Sequence, residues 1–270
     1  MVFGVQRLRG ICWELWVRGK VKDQQCRFLK ENNNMITKEQ FAAMQDHSCL
    51  GNYVSRADVE QFCKEVLEYG FASVYVNPSD VELARSIIGD RAAVGTVIGF
   101  PQGVATTKSK INEGLDAIEN GASELDVVIN ISKLKDGDHD YCLDELTKFT
   151  KAMKDKNSDV IVKVIIECYH LTHAEKIVAC GIVADSGADY IKQSTGTTPN
   201  SSFNLGDVKL FNALVGDRIK IKSSGWIINL EDAIGTIEFG ASRIGNSIAP
   251  QWLSEWDENH WYDPIKQKAE

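Results

Sequence analysis

From residue 36 onward, short apolar runs alternate with segments whose apolar positions recur every three or four residues. Val59, Phe62, Cys63, Val66 and Leu67 stand at i, i+3, i+4, i+7 and i+8 and predict one buried helix face over 56–68. Ser55, with Asp58 three positions later, has the form of a capping box at its start. Ile111, Leu115 and Ile118 predict a similar helix over 106–119, and Thr172 with Glu175 marks the start of another that carries Ile177, Cys180 and Ala184.

Between the helices, strands are predicted near 43–49, 72–77, 93–99, 124–130, 160–166, 188–193, 218–223 and 241–245. Their nearly continuous apolar character is that of parallel strands buried on both faces. Eight strands alternating with helices in about 230 residues predict an α/β fold closed as a (β/α)8 TIM barrel. The structural alternative is an open doubly wound sheet. That fold usually places a glycine-rich phosphate loop after its first strand, and neither G-x-G-x-x-G nor G-x-x-x-x-G-K occurs here.

The length of 270 residues suits one such domain. A net charge of -8 argues against a nucleic-acid partner, whose phosphate backbone calls for a basic face. No apolar run approaches the roughly 20 residues of a membrane span, so no membrane partner is expected. The seven cysteines are scattered, without C-x-x-C, which suits reduced thiols in a cytoplasmic protein. Residues 1–35 differ from the rest: seven Lys/Arg against three Asp/Glu give +4, leaving -12 for the remainder. They are expected to form a basic N-terminal extension, disordered or loosely packed, with the run Asn32-Asn33-Asn34 as the boundary to a single barrel domain over 36–270 that ends in a C-terminal tail.

In barrels of this kind the reacting groups sit at the C-terminal ends of the strands. Three lysines interrupt apolar runs there: Lys163 in VKVIIE, Lys192 in YIKQSTG and Lys222 in KIKSSGW, on the fifth, sixth and seventh predicted strands. One such lysine is easily a surface residue with its head in water; three on consecutive strands ask for another reason. Neighbouring strands lie about 4.8 Å apart, and both burial and like-charge repulsion lower a lysine pKa. A lysine brought to roughly 7–8 supplies the free amine that attacks a carbonyl, and the Schiff base so formed is an electron sink. Asp126 interrupts ELDVVIN on the fourth strand, either as an ion-pair partner of these lysines or as a general acid/base.

These segments, ELDVVIN, VKVIIE, YIKQSTG, KIKSSGW followed by LEDA, and GASRIG, together with MQDHSCL, SVYVNP and VIGFPQG, resemble the deoxyribose-phosphate aldolase family over about residues 40–250. The resemblance implies cleavage of 2-deoxyribose 5-phosphate to glyceraldehyde 3-phosphate and acetaldehyde, with no metal or other cofactor. It implies Lys192 as the Schiff-base lysine, Lys222 as its pKa-lowering neighbour and Asp126 as the acid/base, with Lys163, Asp46 and Glu167 as polar residues near that centre. The expected partner is a small phosphorylated sugar, and a homo-oligomer is compatible with the sequence.

The phosphate end departs from the family pattern. Where the family usually reads Gly-Gly-Ile/Val-Arg-Thr, this chain has Gly225-Trp226-Ile227-Ile228-Asn229, and Asn246-Ser247-Ile248-Ala249 replaces a Thr-Ser-Ser-Gly run. Gln193 stands for a family Thr and Tyr75 for a frequent Cys. The expected phosphate group is Gly196, Ser224, Gly225, Gly240, Ser242 and Arg243. This leaves two alternatives: a barrel with weakened catalysis that acts in binding or regulation, and an aldolase that prefers a less charged aldehyde. His170 and His173 form no metal-ligand pattern. His47 reads as a packed polar residue, and Trp252, Trp256 and Trp261 as cover for the barrel or a subunit contact.

Overall fold

The computed structural model describes residues 36–198 and 203–256. The basic segment 1–35 and Trp261 lie outside the described residues. Strands β1 (Gln45–Cys49), β2 (Ser73–Val76), β3 (Ala93–Ile98), β4 (Glu124–Val128), β5 (Ile161–Ile165), β6 (Tyr190–Lys192), β7 (Lys220–Ser224) and β8 (Arg243–Asn246) pair in parallel in chain order. β8 returns to β1 and closes the barrel. All eight predicted strands are present, each within a few residues of its expected bounds. The helices are α1 (Lys38–Ala42), α2 (Arg56–Tyr69), α3 (Val81–Ile88), α4 (Thr107–Glu119), α5 (Ile131–Lys135), α6 (His139–Lys156), α7 (His173–Asp185), α8 (Leu205–Val215), α9 (Leu230–Glu238) and α10 (Ala249–Ser254).

Strand alternation divides the buried residues into two populations. Val74, Val94, Leu125, Val127, Val162, Val164, Ile191, Ile221 and Ile244 join the apolar core that the strands share with the helices. Each such side chain contributes about 1.5–3 kcal/mol on leaving water. The intervening positions face the barrel axis, and many of them are polar. The hydrophobic core is therefore a ring between barrel and helices, and the interior holds the chemistry.

Both predicted capping boxes are present. Ser55 and Asp58 close the start of α2, and Thr172 and Glu175 that of α7. The face of α4 is rotated from the expected one. Its buried residues are Lys110, Gly114 and Ala117, with Ile111, Leu115 and Ile118 partly buried beside them. The cause is close packing on α6: a Cβ at Gly114 would lie 2.6 Å from Met153 Sδ. Lys110 also reaches Glu145 of α6, at 2.8 Å. His47 packs as expected, stacked on Phe62 at 4.3 Å and bonded to Glu65 at 2.7 Å. Trp252 and Trp256 pack on Phe41 of α1, with ring centroids 6.2 and 5.2 Å away. No helix among the described residues is long and apolar enough to cross a membrane.

Candidate active site

Strand register assembles the site. Asp126 pairs with Lys163 across β4–β5, Lys192 with Lys222 across β6–β7, and Lys222 with Arg243 across β7–β8. The Lys192 and Lys222 ammonium groups both donate to the same Asp126 oxygen, Oδ2, each at 2.7 Å. Lys222 Nζ also lies 2.5 Å from Asp46 Oδ2. Lys163 donates to Glu124 and, at 2.5 Å, to the Tyr75 hydroxyl, and lies 3.5 Å from Asp46. Arg243 donates from Nε to Asp46 Oδ1 at 2.7 Å and from Nη2 to Glu124 at 2.9 Å. Lys163, Lys222, Asp46 and Asp126 are fully buried, whereas Lys192 keeps 4 % exposure. Of the three lysines, it is the one a substrate can reach from solvent.

Four cations face three carboxylates in this cluster, and a surplus buried charge is costly. Burial alone would raise the Asp126 carboxyl, but the Lys192, Lys222 and Lys163 ammonium groups outweigh it and hold it well below the usual range. Asp46 is likewise held low by Lys163, Lys222 and Arg243 against its burial. Lys163 is pushed up, because Asp46, Glu124 and Asp126 together outweigh its burial. Lys222 is brought down to about 8, first by burial and then by the Lys192 and Lys163 charges, against the pull of Asp126 and Asp46. The cluster thus loosens the proton of Lys222. Lys222 is buried between the Lys192 and Lys163 ammonium groups.

Sequence reasoning missed two members of the cluster. Glu124 stands two residues before Asp126, so strand alternation alone puts both carboxylates on one face. Tyr75 was noted only as a departure from Cys. Its ring enters the barrel because β3 carries Gly95 directly opposite, where a Cβ would lie 2.4 Å from the phenol Cζ. Gly245 plays a smaller part: its missing side chain leaves room for Lys222, whose Cε would be 3.1 Å from an added Cβ.

The expected phosphate group divides. Gly196, Ser224 and Gly225 come together at the C-terminal mouth: Ser224 donates to the Ser194 carbonyl at 2.7 Å, and a Cβ at Gly196 would lie 3.8 Å from Gly225 Cα. The other three are corrected. Gly240 and Ser242 precede β8 and therefore lie at the opposite end of the barrel. Arg243 begins β8, and its guanidinium is spent on Asp46 and Glu124 beneath the lysines. Glu167 does not join the lysine cluster either. Its carboxylate accepts from Ser194 Oγ at 2.8 Å, from the Thr195 N–H at 3.0 Å and from the Thr195 hydroxyl, pinning the loop that follows Lys192.

The rim has a different character. Trp226 and Ile228 are 56 % and 67 % exposed. Trp226 adopts φ 38°, a left-handed conformation that costs a non-glycine residue roughly 1–2 kcal/mol, which explains why glycine suits this position. The loops 50–55, 99–106, 166–172, 193–204 and 225–229 contain no Lys or Arg. A cavity of about 190 Å³ lies beside the loops that follow β6 and β7, lined in part by Gln193, Ser194, Ser224, Gly225, Lys176 and Asp207. Lys176 is not free to meet an anion there, since its ammonium donates to both Asp207 oxygens, at 2.7 and 2.9 Å.

A closed α/β barrel with adjacent lysines on one shared carboxylate defines an enzyme of the lysine-dependent aldolase class. Comparison with known proteins agrees. Residues 34–247 match the model of the DeoC/LacD family aldolases, and the chain belongs to that family. It is 44 % identical over 217 residues to the deoxyribose-phosphate aldolase of Thermoanaerobacter pseudethanolicus, covering 80 % of this chain and 96 % of that protein. The enzyme of the same name from Caldicellulosiruptor saccharolyticus is 43 % identical over 221 residues, 82 % of this chain and 100 % of that one. The tetrameric deoxyribose phosphate aldolase of Aeropyrum pernix superposes with a TM-score of 0.75 at 26 % identity, covering 87 % of this chain and 97 % of that chain.

Proposed function

We propose that this protein cleaves 2-deoxy-D-ribose 5-phosphate to D-glyceraldehyde 3-phosphate and acetaldehyde through a Schiff base on Lys192. The observation that carries this reading is the sharing of Asp126 Oδ2 by Lys192 and Lys222, with Lys192 the lysine open to solvent. The Lys192 amine attacks the C1 aldehyde of the open-chain sugar, and loss of water gives the iminium ion. Cleavage of the C2–C3 bond sends its electron pair into that iminium as the C3 hydroxyl gives up its proton. Protonation of the resulting enamine at C2 and hydrolysis release acetaldehyde and restore the amine. Asp126, in contact with both amines, is the group that relays these protons, and Lys222, near its own midpoint at neutral pH, is the reservoir for them.

Lys163 and Asp46 support the cluster from below, Glu167 shapes the loop after Lys192, and Gly196, Ser224 and Gly225 form the end that meets the phosphate. A homo-oligomer and a cytoplasmic setting complete the reading; the five cysteines among the described residues are buried free thiols, which suits reducing conditions. Residues 1–35 are assigned as an extension to the barrel domain over 36–270.

The test is borohydride reduction in the presence of acetaldehyde, followed by peptide mapping. A stable two-carbon adduct on Lys192 is expected. Label on Lys163 or Lys222 instead would reassign the roles, and an unlabelled protein would end the Schiff-base reading.

A further inference from the structure

Tyr75 touches more of the catalytic cluster than any sequence argument assigned to it. It is fully buried, and its hydroxyl oxygen lies 2.5 Å from Lys163 Nζ, 2.7 Å from Asp126 Oδ1 and 3.1 Å from Glu124 Oε2. Its ring lies against the Lys222 ammonium, 3.7 Å from Nζ to the centroid. An ammonium group only donates, so the phenol oxygen accepts from Lys163 and its own proton must go to a carboxylate. The shorter contact is to Asp126. That bond occupies Oδ1 and leaves Oδ2 as the oxygen that both Lys192 and Lys222 share. Without it, the carboxylate is free to turn and meet one lysine with both oxygens.

We propose that Tyr75 is a positioning residue of the aldolase reaction: its hydroxyl orients Asp126 so that one oxygen bridges Lys192 and Lys222, while its ring face supports the Lys222 ammonium. This rests on the reading that Lys192 carries the Schiff base. The phenol is suited to the task as a permanent donor. Burial, and then the charges of Asp126, Glu124 and Asp46, hold its proton well above the ordinary tyrosine value, so it does not ionise in the working range.

The two halves of the role act in opposite directions on the lysines. Hydrogen-bond donation to Asp126 draws off part of the carboxylate's hold on the ammonium groups and so favours free amine. The ring face attracts the ammonium and favours the charged form. Tyr75→Phe removes only the first, so the rise of kcat/KM with pH should move up by about half a unit or more, with kcat lowered about tenfold and KM nearly unchanged. Tyr75→Leu removes both, so its profile should lie below that of Tyr75→Phe.

The experiment measures kcat, KM and the pH profile of wild type, Tyr75→Phe and Tyr75→Leu, with borohydride mapping of each protein. Phe preserves the ring that fills the space at Gly95, so the first variant keeps the packing. Lys192 labelled in wild type and in Tyr75→Phe, with the profile displaced upward, supports the proposal. Lys192 labelled in both with an unmoved profile overturns it, because a merely structural tyrosine would lower activity without changing the pH at which it appears. An unlabelled wild type removes the Schiff-base reading and this inference with it.

Discussion

Inside the barrel, Asp46, Glu124, Asp126, Lys163, Lys192 and Lys222 are buried and Arg243 is partly so, and each meets at least one opposite charge within 3 Å. On the rim, Tyr53, Val104, Tyr169, Trp226 and Ile228 stand exposed on the loops that follow the strands, and the five longest of those loops lack Lys and Arg. The interior is charged where a protein is usually apolar, and the longer loops at the mouth carry exposed apolar side chains and no Lys or Arg where an anionic sugar would enter. The difference shows which part of an aldolase is tightly specified. Each charge in the interior is set by others at close range and low dielectric, so a single change unbalances the cluster. A rim loop touches water on one side, so Trp226 and Ile228, where the family pattern has glycine and arginine, are expected to alter affinity for one end of the substrate and to leave the fold and the chemistry in place.

The largest effect is expected inside the barrel. Asp126→Asn removes the carboxylate on which Lys192 and Lys222 meet, and turnover should fall by roughly 10²–10⁴-fold while some Schiff base still forms. Single-turnover kinetics alongside borohydride trapping separate the two steps, and full retained turnover would contradict the role given to Asp126.

On the rim, the expected effect is smaller and confined to the phosphorylated substrate. A lost charge-assisted hydrogen bond costs about 1.5–3 kcal/mol, or roughly ten- to hundredfold in affinity. Trp226→Gly combined with Ile228→Arg should lower KM for 2-deoxyribose 5-phosphate by that order and leave kcat and the unphosphorylated sugar nearly unaffected. The comparison is made on both sugars at matched ionic strength. An equal gain on both would show that the indole was a steric obstacle and not the site of a missing anion contact.

The smallest effect is the pH profile of the unaltered protein. Lys222 is lowered to about 8, so its protonated fraction grows below that pH and its free amine above it. A proton relay that draws on the free Lys222 amine gains activity as pH rises through about 8 and loses roughly tenfold for each unit below. Lys222→Leu takes away the cation that shares Asp126 Oδ2 with Lys192, and the activity should appear at higher pH. A profile flat between pH 6 and 9 in the wild type would separate Lys222 from the rate-limiting protons.

By itself the sequence determined the architecture and the reactive strands. Eight apolar runs separated by helical periodicity allowed a barrel, and Lys163, Lys192, Lys222 and Asp126 stood out because a charge inside an apolar strand has to be explained. The two capping boxes were legible for the same reason: they are interactions over three residues. Alternation along one strand tells which residues share a face, yet it does not tell which residue of another strand stands opposite. Tyr75 is therefore a site residue only because Gly95 stands beside it on the next strand, and α4 is turned by one position because Gly114 and Lys110 answer to α6. Arg243 is the clearest case. Its motif suggested phosphate, but closure of β8 on β1 delivers its guanidinium to Asp46, 197 residues earlier in the chain. Electrostatic pairing at 2.7 Å depends on distance in space, and only the closed barrel sets that distance.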